Sequence, residues 1–205
     1  SVFYYQKEKY GETYEIKIDE DKLLEEGQKI AAEVVKRIRT MEGGETVPIM
    51  IALFEQGSKD AVVPGNFISY TKVGEKSNKI SKWTNVQEEY YLFPSNKATK
   101  DFRDDATTFA NFKQDVEEYF PNFNGVIGKA FYVNKELQKL TISIDMQFYG
   151  KTEVIGFTQY VAGLVKSSFP EYLSVETKIA SSNGQESLIV KKANSKEPDV
   201  YIYNE

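Results

Sequence analysis

The sequence predicts an α+β fold: a single domain with an antiparallel-rich mixed sheet and about three main helices. Three observations carry that expectation. Helix-period stretches are separated by several consecutive strand-period stretches instead of alternating with them one for one. The last third holds a segment of strict period-2 alternation and an Asn183-Gly184 hairpin signal. The 205 residues are 40% hydrophobic and 28% charged, with 14 Tyr and 13 Phe, which is ordinary material for a packed core.

The elements follow in order. Val2 to Tyr5 and Tyr14 to Ile18 read as short extended stretches around a charged turn at Gly11. A helix follows, with Asp19 or Asp21 available as its N-cap. Its apolar positions Leu23, Gly27, Ile30, Ala31, Val34 and Ile38 recur at three and four. Gly27 on that face costs ~1 kcal/mol of propensity unless it permits close packing. After Gly43-Gly44, the apolar run Val47 to Phe54 reads as a central strand covered on both faces. Val63-Pro64-Gly65 is a turn, and Asn66 to Val73 alternates as a strand. Ile80 to Phe93 contains the only Trp, Trp83. A second helix spans Asp104 to Tyr119, with Phe102, Ala106, Phe109, Phe112, Val116 and Tyr119 as its buried stripe and Pro121 as its stop.

Gly128 to Val133 and Leu140 to Phe148 read as strands joined by a polar turn at Asn134-Lys135-Glu136. In the second, Ile142, Ile144, Met146 and Phe148 alternate with Thr141, Ser143, Asp145 and Gln147, so one face belongs to the core. A third helix runs from about Thr152, its expected N-cap, to Ser167. Its apolar line is Ile155, Thr158, Ala162 and Val165, flanked by Val161 and Leu164. Leu173 to Ile179 and Glu186 to Lys191 form the hairpin, and Val200 to Tyr203 closes the chain as a strand.

Composition removes much chemistry. There is no His, the usual general base near neutral pH, and no Cys for a thiolate or an ordinary zinc site. Net charge is −5 with the signs interspersed, and Lys36-Arg37 and Lys191-Lys192, the densest basic spots, read as solvated charge. Neither suggests a nucleic-acid track. No apolar run reaches the ~18 residues of a membrane span. Beginning at Ser1 without Met, the chain reads as an excised fragment or mature product.

Carboxylates are the remaining acid–base material, with Glu88, Glu89, Asp101, Asp104, Asp105, Asp145 and Glu153 as candidates. Most sit in polar stretches or first helical turns, where acids serve solubility and the helix dipole. Asp145 differs, because it stands mid-strand where Asp is disfavoured. Even there a solvated sheet face is the better reading. Gly150-Lys151-Thr152 lacks the upstream glycine of a phosphate loop, whose place is taken by Asp145. Asp101 to Asp105 lacks the ligand alternation of a calcium loop. The tyrosines at strand positions and chain ends, Tyr4, Tyr5, Tyr10, Tyr14, Tyr90, Tyr91, Tyr201 and Tyr203, read as sheet formers more than as a binding stripe.

Several segments together carry a family likeness. They are Val2-Phe3-Tyr4-Tyr5-Gln6-Lys7-Glu8-Lys9, Val47-Pro48-Ile49-Met50-Ile51-Ala52-Leu53-Phe54, Pro64-Gly65-Asn66-Phe67-Ile68 and Trp83-Thr84-Asn85-Val86. Most specific is Phe148-Tyr149-Gly150-Lys151-Thr152-Glu153-Val154-Ile155-Gly156-Phe157-Thr158-Gln159-Tyr160-Val161, followed by the ending Lys196-Glu197-Pro198-Asp199-Val200-Tyr201-Ile202-Tyr203. In this order, over residues 1–205, the chain resembles the C-terminal domain of CamS-type sex-pheromone-precursor lipoproteins of Gram-positive bacteria.

The resemblance implies an exported protein, held at the outer face of the cell membrane through a lipidated N-terminal Cys, whose pheromone derives from the signal peptide. Neither that Cys nor a signal peptide lies within residues 1–205. It brings no catalytic motif to carry over. The expectation is therefore a non-enzymatic extracytoplasmic module without cofactor or metal. Its partner would be a cell-surface ligand (peptide, glycan or protein) and not nucleic acid. The first place to look for a site is the junction of Asp145, Tyr149 and Glu153 with Gln159 and Tyr160, where a polar sheet face meets a helix N-terminus. The rivals are a carboxylate-pair hydrolase of cell-wall glycan, needing two acids ~5–9.5 Å apart in a deep groove, and a structural spacer with no sizeable pocket.

Overall fold

The computed structural model describes residues 3–7, 13–59, 61–63, 65–119, 125–148 and 150–203. The turns expected at Gly11, Pro64 and Pro121 fall on or beside residues outside this set. The fold is α+β, as the patterning predicts, and the chain divides into two compact units, Ser1–Glu88 and Glu89–Glu205.

In the N-terminal unit β1 (Phe3–Lys7) and β2 (Thr13–Lys17) pair antiparallel. Helix α1 (Glu20–Arg39) begins at Asp19, whose carboxylate accepts from the backbone N–H groups of Asp21 and Lys22 at 3.2 and 3.3 Å. This satisfies two donors that the helix itself leaves orphaned. Strands β3 (Ile49–Gln56), β4 (Gly65–Val73) and β5 (Thr84–Asn85) form a second, antiparallel sheet in that order. Trp83 stands half-buried just ahead of β5.

Two expectations fail here, for one reason. The run from Val47 to Phe54 is not a central strand covered on both faces: β3 lies at a sheet edge, and its burial alternates. Ile49 is buried while Met50 is 62% exposed. Only one face of β3 meets α1, where Val35, Ile49 and Val73 form the buried cluster with Ile38, Ile51 and Ile80 packed around it. On α1 the buried line passes through Ala31 and Val35, whereas Ile30 and Val34 are exposed. A pattern of threes and fours leaves the stripe uncertain by one residue, and the narrow sheet takes only one edge of it.

Arg39, in the last turn of α1, gathers the loops at the end of this unit. Its Nε donates to Ser77 O at 2.7 Å, Nη1 to the carbonyls of Gly44 and Val47 at 2.7 and 2.6 Å, and Nη2 to Gly74 O at 2.9 Å. The planar five-donor guanidinium is the side chain suited to such a task.

The C-terminal unit is built on a six-stranded sheet of order β11-β10-β9-β8-β7-β6. The strands are β6 (Glu88–Phe93), β7 (Gly125–Val133), β8 (Glu136–Asp145), β9 (Ser174–Ser181), β10 (Gly184–Lys191) and β11 (Asp199–Ile202). The β7–β8 turn falls at Asn134 and Lys135, both at positive φ (51° and 66°), as a tight two-residue hairpin demands. Strand β8 ends at Asp145, not Phe148, as the chain leaves towards the next helix. Alternation across Ile142, Ile144 and Met146 nonetheless holds, all three being buried. The hairpin of β9 and β10 forms as expected but turns at Ser182 and Asn183, one residue ahead of the Asn183-Gly184 signal, since Ser181 pairs with Gly184.

Three helices cover the unit's core: α2 (Asn96–Asp101), α3 (Arg103–Tyr119) and α4 (Lys151–Ser168). Short α2, capped by Ser95 Oγ accepting from Ala98 N at 3.1 Å, adds to the three long helices expected. On α3, Phe109, Phe112 and Val116 are buried as expected. Gly128 of β7 lets α3 approach, since a Cβ there would meet the Phe109 ring at 2.6 Å. Helix α4 connects β8 to β9, which pair in parallel with Leu140 opposite Val175 and Ile144 opposite Ile179. Such a pair needs a crossover of this length.

Helix α4 departs from expectation twice. Its N-cap is Gly150, without a side-chain bond, and Thr152 lies inside the first turn. Its buried line is Val154, Phe157, Thr158, Val161, Ala162 and Val165, rotated towards Phe157 and away from the exposed Ile155. Buried Thr158 meets Ser187 of β10 at 2.8 Å between hydroxyl oxygens.

Lys191 overturns the solvated reading of Lys191-Lys192. It is 1% exposed, because the β10 alternation turns it towards the core. Its Nζ donates to the carbonyls of Pro170, Glu171 and Leu173 at 2.7, 3.3 and 3.0 Å, which matches the three protons of an ammonium. Burial pulls its pKa below the ordinary lysine value, against the opposing charge of Glu171.

Candidate functional site

Most of the candidate carboxylates serve as structural acceptors. Glu88 Oε2 accepts from Phe67 N at 3.1 Å, within the N-terminal unit. In the C-terminal unit the buried Tyr91 hydroxyl lies 2.9 Å from Glu89 Oε2 and 3.0 Å from Asp101 Oδ2. Tyr132 donates to Asp105 Oδ2 at 2.8 Å. Burial first, then the neighbouring carboxylates, push both phenols well above the ordinary tyrosine pKa. The space between Glu89 and Asp101 is thus filled by a tyrosine hydroxyl, and a glycosidic oxygen has no room there. The Phe102 and Tyr132 rings stack at 3.8 Å between centroids, and each meets the Tyr91 ring edge-on, at 4.9 and 5.5 Å.

The described residues of the junction singled out in the sequence lie on β8 and α4. Asp145 stands exposed at the end of β8, opposite Gly125 and Ala180. Glu153 sits in the first turn of α4. Gln159 is exposed six residues further along that helix, roughly 9 Å of axial rise. Tyr160 commits its hydroxyl to Asp115 O on α3 at 3.0 Å, with its ring 4.6 Å from that of Tyr119. Tyr149 lies outside the described residues.

A concave feature lies elsewhere, in the N-terminal unit, and the sequence reading passed over it. The first half of α1 faces the end of β3 and the start of β4 around a cavity of about 640 Å³. Its walls are mostly apolar, with Leu23, Gly27 and Ile30 from the helix, Leu53 and Phe54 from β3 and Ile68 from β4, while Asp19, Lys22 and Glu26 also border it. Gly27 sets the depth. A Cβ there would come within 3.2 Å of Leu53 Cδ1, so the missing side chain keeps the helix close and the space beside it open. The β3–β4 register shifts between Leu53 and Phe54, where Ile68 is the extra residue on β4, and all three residues line the cavity. At Ile18 and Asp19 the cavity adjoins a polar cup of about 430 Å³ that also includes Glu20 and Asp21. The one available sequence signal was Gly27 on an apolar helix face.

Among the described residues no cluster of three or more acidic side chains is placed to hold a metal ion. No helix among them is long and apolar enough to cross a membrane. The family model described as the CamS sex pheromone cAM373 precursor matches residues 1–197. The chain belongs to the CamS family. Its fold is shared with the C-terminal domain of a sex pheromone staph-cAM373 precursor from Staphylococcus aureus, at 30% identity and a TM-score of 0.90. A sex pheromone precursor from Lactobacillus salivarius subsp. salivarius UCC118 gives 37% identity and the same TM-score. Both alignments cover 100% of this chain but only 62% and 60% of those relatives, so the chain spans about three fifths of their length. A second staph-cAM373 precursor structure, at 23% identity and a TM-score of 0.59, shares the fold. No curated protein matches the chain.

Proposed function

We propose that this CamS domain is a non-catalytic binding module on the outer face of the cell membrane, carried there by a lipid anchor upstream of residue 1. Its parent would be the precursor of a pheromone cut from the signal peptide, so the domain's own work is separate from the peptide released. The observation that carries the reading is the cavity of α1, β3 and β4, whose 640 Å³ and apolar walls fall within the size and character of ligand sites. A pure spacer has no use for it. A hydrolase is disfavoured because Glu89, Asp101 and Asp105 are bonded to buried phenols.

The test is an amide-shift titration of the 205-residue chain with cell-wall fragments and a mixed peptide library. Shifts confined to α1, β3 and β4 are expected. Shifts at Asp145, Glu153, Gln159 and Tyr160 would move the seat to the β8–α4 junction. A chain that responds to neither mixture would sink the binding reading.

A further inference from the structure

The cavity is not an isolated hollow, because three features converge on it. The first is its apolar wall. The second is β3 itself, which among the described residues pairs with β4 alone and so leaves one row of backbone N–H and C=O groups without a strand partner. An eight-residue edge reading Ile49-Met50-Ile51-Ala52-Leu53-Phe54-Glu55-Gln56, without charge over its first six positions, is a template for strand addition. Its last apolar residues, Leu53 and Phe54, are the ones that line the cavity. The third is charge. The polar cup sharing Ile18 and Asp19 with the cavity carries Asp19, Glu20 and Asp21, so its rim is negative although Lys22 also borders the cavity.

We infer that the cavity and the β3 edge together form a seat for an extended apolar peptide segment whose positively charged amino end lies against the Asp19–Asp21 rim. The inference rests on the reading of the domain as a binding module and names its ligand class. The peptide runs beside β3 and takes its hydrogen bonds from the edge. Alternate side chains enter the space between Gly27, Ile30, Leu53 and Ile68, as the period of a strand requires. An acyl chain would use the walls but neither the edge nor the acidic rim. A second copy pairing through its own β3 would use the edge but bring a strand without positive charge towards Asp19.

The probe is an apolar hexapeptide of alternating leucine and alanine with a free amino terminus, titrated into the 205-residue chain and followed by amide shifts. Expected are saturable shifts at Leu23 to Ile30 and at Ile51 to Phe54. Acetylating the amino end should weaken binding about two- to fivefold at low salt, the range of an exposed charge pair, and added salt should erase that difference. Methylating alternate peptide nitrogens should weaken it tenfold or more, on the order of two lost backbone hydrogen bonds. Ile30→Glu, at a position 63% exposed and therefore harmless to folding, should remove binding, and Gly27→Leu should do so by filling the space. Equal binding of the acetylated and methylated peptides overturns the inference while leaving a binding module in place. So does a decyl chain that shifts the same amides more strongly. Self-association through β3, seen as concentration-dependent sedimentation with no peptide response, overturns it in favour of a second copy. No response to any apolar probe counts against the binding reading as well.

Discussion

The two units solve the same problem at different scale. In the C-terminal unit the buried cluster runs through β6 to β10 and all three helices, from Phe93 and Phe109 to Val165, Ile179 and Ile189. In the N-terminal unit the cluster is Val35, Ile49 and Val73 with a thin surround, and one side of α1 closes over space instead of side chains. Both units use a cation to gather loop carbonyls, but Lys191 is sealed inside whereas Arg39 works partly in solvent. The lesson is a division of labour. Extensive burial fixes one unit, and the sparsely packed unit is left with the concave surface, as expected where ligand-responsive regions come from the less stable end of a fold.

The contrast can be broken or sharpened in order of expected effect. Phe112→Ala removes a fully buried ring lying between Phe109 and Phe169 and should cost about 3–5 kcal/mol in denaturant unfolding. A loss under about 1 kcal/mol would mean that this core is looser than its burial indicates. Lys191→Met strands the carbonyls of Pro170, Glu171 and Leu173 and should cost about 2–4 kcal/mol, with faster hydrogen exchange in β9. Arg39→Met should cost less, about 1–2 kcal/mol, because partly exposed carbonyls can turn to water. If it matched Lys191→Met, the two clamps would not differ as described. The smallest effect belongs to Lys139→Met. The Lys139 hydrogen bond, opposed by desolvation and helped by Lys178, holds Glu176 below its ordinary value of 4.5. A depressed carboxylate contributes stability above the unfolded value and loses it as pH falls through the folded one. The variant should therefore differ from the parent by less than about 1 kcal/mol at neutral pH. The gap should close below pH 4.5, with the Glu176 titration moving up by carbon NMR.

Sequence legibility follows the same division. Where a residue's neighbours are near in the chain, the pattern suffices: the alternation of Ile142 and Ile144, the stripe of Phe109, Phe112 and Val116, the hairpin of β9 and β10. It fails where a distant partner decides. The apolar run of β3 looks central until one knows that only α1 covers it, and Val34 and Val35 are indistinguishable until the sheet chooses Val35. Lys191 reads as solvated in sequence because nothing local announces three carbonyls from the α4–β9 loop. The cavity draws on β2, α1, β3 and β4 at once, so only Gly27 hinted at it.

The placement of Trp83 has a practical consequence. The sole tryptophan lies in the N-terminal unit, ahead of β5, while most of the buried rings, Tyr91, Tyr132, Phe109 and Phe112 among them, lie in the other. Indole fluorescence is therefore a built-in reporter for the half with the cavity, silent about the larger core. Near-ultraviolet dichroism, dominated by the packed tyrosines, follows the other half. The two spectra, recorded on the same unlabelled sample, separate melting of one unit from melting of the other.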